Sequence, residues 1–215
     1  MMKIKQFIFG PFQTNCYVVS LPPISDDPSS MSILLIDPAC SNEWEQQQLL
    51  QYISDLQSPI SDVRLSIVAT HGHLDHLWGA KWATEQWNTP VLMHEADIPY
   101  AQAMQQQYEL FGIRRQPSAF SIQPISHLQS PISNVKWLHT PGHTPGSVCL
   151  YFPEEKVLFS GDTLFQMGYG RTDLPGGNYG QLLDSLECLL ALPKDVTVYP
   201  GHGDFTTIGA ESRWR

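Results

Sequence analysis

The 215-residue sequence predicts an α/β fold in which two β-sheets pack face to face with helices on the outside. Short runs of β-branched and aromatic residues predict strands, and longer runs with apolar residues three and four positions apart predict helices. Strands come first along the chain, and helix and strand then alternate. Because 42% of the residues are hydrophobic, we expect one domain over residues 1–215, or at most two small lobes.

Seven short runs predict the strands of this fold: Lys3–Phe9, Asn15–Ser20, Ser32–Asp37, Leu65–Thr70, Ser147–Phe152, Lys156–Ser160 and Val196–Tyr199. Four helical patterns lie between or after them: Asn42–Leu56, Asp75–Trp87, Glu95–Leu110 and Tyr179–Leu192. The last pattern places five leucines on one face, which predicts that this face is buried.

A segment of eight residues occurs twice, at 56–63 and at 128–135, with seven identical positions. A duplicated half-domain would explain the recurrence, since the same offset carries His71 onto His143. However, Pro-Ile-Ser also recurs elsewhere and the flanking residues do not match, so we interpret the segment as a low-complexity insert. Residues 22–30, 57–62 and 123–134 are then expected to be exposed connectors.

Charge and composition exclude several classes of partner. The chain has 21 acidic and 12 basic residues and a formal charge of -9, which argues against binding to nucleic acid or to anionic membranes. No run approaches the roughly 20 apolar residues that span a bilayer, and the N-terminal apolar run is too short for a signal peptide. The four cysteines form no CxxC pair. We therefore expect a soluble cytoplasmic protein with reduced cysteines; the sequence does not predict its oligomeric state.

The segment His71-Gly72-His73-Leu74-Asp75-His76 places four metal-ligand side chains in six residues. One short loop cannot aim all four at a single ion, but it can supply two neighbouring ions if further ligands come from elsewhere. His143, Asp162 and His202, each in a glycine turn, can complete the set. Nitrogen and oxygen donors without a thiolate suit divalent ions, so these seven residues are the candidate ligands of a two-metal centre.

The other histidines lie outside these clusters. We expect His94, His127 and His139 to be ordinary surface or core residues and not metal ligands.

The order and spacing of the clusters resemble the ligand signature of the metallo-β-lactamase-fold hydrolases over nearly the whole chain. The resemblance implies an αβ/βα four-layer sandwich of two mixed sheets, with the metal site at one edge. It also implies the ligand assignment: the first ion is held by His71, His73 and His143, the second by Asp75, His76 and His202, and Asp162 bridges both. Within the superfamily, the turn Phe159–Phe165 is similar to that of glyoxalase II, or hydroxyacylglutathione hydrolase.

Two divalent ions can share a water that becomes a nucleophile at neutral pH, and one of them can stabilise the developing oxyanion. Asp75 is the candidate catalytic residue, because it can both ligate an ion and orient the nucleophile. A thiolate leaves with little acid assistance, so we expect a small-molecule thioester substrate such as S-lactoylglutathione. Zinc is the expected metal, with iron and manganese as alternatives.

The loop Gly170–Gly177 resembles that of small bacterial glyoxalase II-like hydrolases. Arg171 matches a lysine that contacts glutathione in glyoxalase II and is the candidate substrate-binding residue, whereas Asp173 stands where a tyrosine would be. A solvated surface arginine is an equally good interpretation of Arg171. We expect no C-terminal helical domain of the kind that completes the glutathione site.

Three rival classes remain. The persulfide dioxygenases, which are mononuclear-iron oxygenases of the same fold, resemble this signature as well. Nucleic-acid-processing members of the superfamily are disfavoured by the charge of -9. A non-catalytic binding module is disfavoured because every ligand position is intact.

Overall fold

A computed structural model describes residues 2–21, 30–57, 62–125 and 134–212. The chain divides into two compact units. Unit 1 comprises residues 1–69, 73–92 and 102–123, and unit 2 comprises residues 70–72, 93–101 and 124–215. The three expected connectors fall largely outside the described residues, as does His127.

The first sheet contains six strands in chain order: β1 (Lys3–Phe9), β2 (Thr14–Leu21), β3 (Ser30–Ile36), β4 (Asp62–Val68), β5 (Val91–His94) and β6 (Ile122–Ile125). Antiparallel pairing joins β1, β2 and β3, and parallel pairing joins β3, β4 and β5. Because β2 is buried at every position, its sequence does not alternate between polar and apolar residues.

The second sheet has the order β13-β12-β9-β8-β7. Its strands are β7 (Lys136–His139), β8 (Val148–Phe152), β9 (Val157–Gly161), β12 (Thr197–Pro200) and β13 (Thr206–Thr207), and a separate hairpin is formed by β10 (Leu164–Phe165) and β11 (Gly168–Tyr169). Strands β9 and β12 are parallel, while the other pairs in this sheet are antiparallel. Both sheets are therefore mixed.

Six helices accompany the sheets among the described residues: α1 (Glu43–Gln57), α2 (Ala80–Trp87), α3 (Ile98–Gln102), α4 (Met104–Leu110), α5 (Tyr179–Leu190) and α6 (Ile208–Glu211). At the start of α1, the side-chain oxygen of Asn42 accepts the N–H of Glu45, which satisfies one of the free donors of the first turn. The helix buries Leu49 and Ile53, one turn apart on the same face.

The α/β class and the two mixed sheets are confirmed, and all seven predicted strands are present within one to three residues of the predicted ends. Two predicted helices differ. Glu95–Leu110 is a 3-10 turn (Glu95–Asp97) followed by α3 and α4, which are separated at Ala103. Residues 123–125, predicted as part of a connector, belong to β6.

The helix predicted over Asp75–Trp87 begins only at Ala80. The preceding residues form tight turns in which Leu77 N–H donates to Leu74 O and Ala80 N–H donates to Leu77 O. Gly79 N–H donates to Pro38 O at 2.8 Å instead of to a carbonyl of its own helix. The chain approaches this neighbour so closely that a Cβ at Gly79 would overlap Cys40 Sγ. The residues before Ala80 are therefore turns, held by a hydrogen bond to the segment that follows β3, and helix α2 begins only after them.

No helix among the described residues is long and apolar enough to cross a membrane.

Helix α5 allows a test of the core of unit 2. Leu189 is fully buried, whereas Leu183 on the same helix is 45% exposed. We expect Leu189→Ala to lower the free energy of unfolding by about 2–5 kcal/mol, because it removes buried apolar contacts and leaves a cavity. Leu183→Ala has the same change of side chain and should cost less than about 1 kcal/mol. Urea denaturation followed by circular dichroism measures both, and equal losses would contradict the observed orientation of α5.

Candidate metal centre

Four of the seven predicted ligands belong to unit 2: His71, His143, Asp162 and His202. The position of two of them follows from strand pairing. Strands β9 and β12 are parallel neighbours, with Gly161 paired to Pro200, and Gly201 N–H donates to Gly161 O at 2.8 Å. Because the two strands end at the same edge of the sheet, Asp162, which follows β9, lies near His202, which follows β12 after Gly201.

The ligand atoms of unit 2 converge on Asp162. Its Oδ2 atom lies 3.5 Å from His143 Nε2 and 3.6 Å from His202 Nε2. The rings of His71 and His143 are 4.8 Å apart at an angle of 77°, and ligand atoms of His71 lie within 4.8 Å of those of His143 and Asp162. Two donors bound tetrahedrally to one ion at zinc-like bond lengths are roughly 3.3–3.6 Å apart, so this spacing fits a divalent cation.

The outer nitrogens of these histidines contact neighbouring groups that fix the rings. His143 Nδ1–H donates to the carbonyl oxygen of Arg171 at 2.8 Å, and His71 Nδ1 is 3.0 Å from Thr70 Oγ1. The first bond requires a proton on Nδ1, which leaves the lone pair of His143 Nε2 toward Asp162. Such partners orient metal-binding imidazoles and set their tautomer.

The other three predicted ligands, His73, Asp75 and His76, belong to unit 1. His76 is fully buried, its Nδ1–H donates to the carboxylate of Asp37 at 2.9 Å, and its Nε2 lies 3.4 Å from Asp75 Oδ2. Thr14 Oγ1 donates to the same Asp75 oxygen at 2.8 Å. Here the outer nitrogen of His76 has an acidic partner and the inner nitrogen faces a carboxylate, an arrangement suited to a metal.

Asp37 was not predicted from the sequence as part of the site. It directly follows β3, adopts a positive φ of 52°, and is held by a hydrogen bond from its own N–H to Val68 O. Its position as an acid at the end of a buried strand was the only available signal.

A second acid that sequence reasoning missed is Asp97, which is fully buried in unit 2. Its carboxylate accepts the N–H of Gly72 at 2.7 Å, the hydroxyl of Thr144 at 2.7 Å and the N–H of Gly146 at 2.6 Å. Burial raises the pKa of Asp97, and the three hydrogen bonds oppose that rise. Since Gly72 adjoins His71 and Thr144 adjoins His143, Asp97 fastens two ligand turns together.

Arg171 lies beside the site through its main chain, while its side chain points to solvent. The side chain is 55% exposed and forms a two-pronged ion pair with Asp173, with Nε–Oδ1 and Nη2–Oδ2 distances of 2.6 and 2.7 Å. The pair lowers the pKa of Asp173 to about 2 and raises that of Arg171. The substrate-binding role of Arg171 stays a prediction. The contact of its carbonyl with His143 was not foreseen.

Two histidines predicted to be outside the centre, His94 and His139, stack on each other in unit 2. Their rings are 4.3 Å apart and within 6° of parallel. Among the described residues, neither belongs to a group of three or more side chains that could hold a metal ion.

Comparison with known proteins shows the family of this chain. The sequence profile of the Metallo-beta-lactamase superfamily matches residues 9–202. Hydroxyacylglutathione hydrolase GloC of Haemophilus influenzae is 36% identical over 99% of this chain and 96% of its own length. The probable metallo-hydrolase YqgX of Bacillus subtilis is 35% identical over 98% of this chain and 94% of its own length.

Solved structures show the same similarity. The crystal structure of TTHA1623 in a di-iron-bound form has a TM-score of 0.80 and 32% identity, and covers 97% of both chains. The crystal structure of ETHE1 from Myxococcus xanthus has a TM-score of 0.68 and 26% identity, and covers 98% of this chain and 82% of its own. The α/β architecture therefore matches that of proteins with the metallo-β-lactamase fold.

The role of Asp97 can be tested through metal affinity. Asp97→Asn replaces one acceptor oxygen with an NH₂ group, which donates and does not accept. The remaining oxygen cannot accept all three hydrogen bonds. We expect the affinity for Zn²⁺ to fall by at least about tenfold, as is typical when a group that positions metal ligands is lost. Competition with a chromogenic chelator measures the affinity, and circular dichroism verifies folding. The matched control is Asp195→Asn, an exposed acid of the same unit. A folded Asp97→Asn variant with unchanged affinity would contradict the role.

Proposed function

The chain belongs to the metallo-β-lactamase superfamily, and we propose that it is a binuclear metal-dependent hydrolase that cleaves thioesters. S-lactoylglutathione is the first candidate substrate, and related esters are the next. The proposal of a two-metal hydrolase rests on the position of Asp162. Its Oδ2 atom is 3.5 Å from His143 Nε2 and 3.6 Å from His202 Nε2. These two histidines are assigned to different ions, so the contact supports a bridging role for Asp162.

We assign two sets of three side chains to the two ions, with Asp162 as the bridge, as the resemblance to the superfamily implies. The sets are His71, His73 and His143, and Asp75, His76 and His202. Zinc is the proposed metal, with iron or manganese as alternatives, since nitrogen and oxygen donors accept all three. The di-iron form of TTHA1623 supports iron as a real alternative.

When bound, two divalent ions lower the pKa of a shared water and polarise the substrate carbonyl. The side chains of this chain have the positioning roles. Asp75 is the proposed catalytic residue, and the hydroxyl of Thr14 holds its Oδ2 in place. Asp37 and the Arg171 carbonyl keep the rings of His76 and His143 in fixed orientations.

The thioester is supported by the likeness to GloC, a hydroxyacylglutathione hydrolase, over 99% of this chain. Arg171 is the proposed contact for a substrate carboxylate. It would have to exchange its present partner, Asp173, for the substrate. We also propose that the protein acts in the cytoplasm on a small molecule, without nucleic acid or membrane as a partner.

A mononuclear-iron oxygenase of the persulfide dioxygenase type is the second candidate, and the likeness to ETHE1 favours it. It would use only part of the ligand set with a single iron.

Metal content and turnover distinguish the two candidates. We expect about two divalent ions per chain by elemental analysis, and release of free thiol from S-lactoylglutathione detected with a thiol reagent. A chelator should abolish the release, and Zn²⁺, Mn²⁺ or Fe²⁺ should restore it. One iron per chain, with oxygen uptake on a persulfide substrate and no thiol release, would replace the hydrolase with the oxygenase.

Asp162→Ala tests the bridging role. We expect it to lower the metal content from about two ions to one or none and to reduce kcat/KM by at least about a thousandfold, because both ions lose a shared ligand. Asp184→Ala, on the exposed side of α5, is the matched control and should change neither quantity. Full occupancy with an unchanged rate in Asp162→Ala would remove the bridging role.

A further inference from the structure

Unit 1 contains a cavity of about 200 Å³ that none of the seven predicted metal ligands lines. The side chains around it differ in character from the rest of this acidic protein. Aromatic rings and two cations lie on its walls, among them Trp78, Tyr108, Phe120, Lys81 and Arg115. The chain has only 12 basic residues in all, so two in one small cavity form a local concentration of positive charge.

Arg115 places its guanidinium group over an aromatic face. Its central carbon is 5.5 Å from the centroid of the Trp78 ring, which is the geometry of a cation–π contact. Its one hydrogen bond to the described protein is long, 3.4 Å from Nη1 to Ser41 O. Within residues 2–21, 30–57, 62–125 and 134–212, no carboxylate forms an ion pair with it. Most of its five donors are therefore available to an anion.

Trp78 contributes an aromatic wall to the cavity. Its indole Nε1 atom is buried, so the N–H is closed to a ligand and the ring face is the part that matters here. The Arg115 guanidinium stacks on this ring, which holds the cation beside the cavity.

The other charged side chains of the cavity do not cancel this character. Glu85 is the one acid among the lining residues, and it lies 3.8 Å from Lys81 in an exposed pair. One acid therefore faces two cations, so that a ligand with a single negative charge would balance the site. The volume is smaller than that of sites for drug-sized molecules, about 300–1,000 Å³, which limits the ligand to one or two rings.

We propose that this cavity binds a small aromatic carboxylate, with the carboxylate on Arg115 and the ring against Trp82 and Phe120. This site is separate from the proposed hydrolase function and takes a different ligand. Arginine favours a carboxylate over a point anion, because its planar fork can donate two parallel hydrogen bonds.

The probe for this site is 2-naphthoate, titrated into the metal-loaded, full-length protein. Proton–nitrogen correlation spectra resolve the indole N–H signals of the six tryptophans, and Trp78→Phe identifies the signal of Trp78. We expect this signal to shift and to saturate with the probe, because the bound naphthalene ring lies next to the Trp78 indole. Arg115→Gln should raise the dissociation constant of the probe by at least about tenfold, because the variant loses a charge-assisted hydrogen bond to the carboxylate.

Two controls separate the parts of the proposal. Arg64→Gln removes an exposed arginine of the same unit outside the cavity and should leave the affinity unchanged. The neutral analogue 2-naphthamide should bind at least about tenfold more weakly than 2-naphthoate. A Trp78 signal that does not respond, equal affinity in Arg115→Gln, or equal binding of the amide would each overturn the proposal. Binding detected only as inhibition of thiol release, with no change at Trp78, would overturn it as well.

Discussion

The ligand turns of unit 2 depend on one buried carboxylate. Asp97 is fully removed from solvent, and a buried charge is strongly unfavourable unless donors surround it. Three donors do so: Gly72 N–H, Thr144 Oγ1–H and Gly146 N–H. Two of them come from one ligand turn and the third from the other. The carboxylate therefore cannot be satisfied unless both turns are in place, and the energetic requirement of Asp97 becomes a geometric constraint on His71 and His143.

The same interaction explains why glycine flanks the ligands. A Cβ on Gly146 would lie 2.6 Å from Asp97 Oδ1, and one on Gly72 would lie 2.8 Å from Asp97 O. Any larger residue at either position would push a turn away from the carboxylate and break a short hydrogen bond. These glycines are needed because the backbone approaches Asp97 closely, and the flexibility of glycine is of secondary importance at both positions. Glycines next to the ligand histidines therefore indicate close approach of the backbone to a buried group, as well as turns.

This distinction shows what the sequence could predict. Seven of the thirteen described strands, four of the five leucines on the predicted face of α5 and the clusters of candidate ligands were predictable, because periodicity and local residue type specify them. Leu183, predicted on the same face, is exposed instead. Asp37 and Asp97 were not predictable. Each acts on a ligand segment 25 to 49 residues away, through hydrogen bonds that leave no local pattern. Helix Asp75–Trp87 was predicted too long for a related reason, since the bond of Gly79 to Pro38 comes from a remote strand end. Hydrogen bonds between residues that are far apart in the sequence cannot be predicted from a single sequence.

Substrate choice in the proposed function involves a local interaction instead, between two side chains that are two residues apart in the chain. The guanidinium of Arg171 invites a substrate carboxylate, yet Asp173 already occupies it through two hydrogen bonds. Because the pair holds the pKa of Asp173 at about 2, it persists throughout the neutral and mildly acidic range. Both side chains of the pair are more than half exposed to water, where ion pairs contribute little to stability, so a substrate that offers further contacts can displace it. Arg171 therefore cannot select a substrate by charge alone. For the proposed thioester, the acyl and thiol parts, and the side chains that contact them, would have to provide the rest of the specificity.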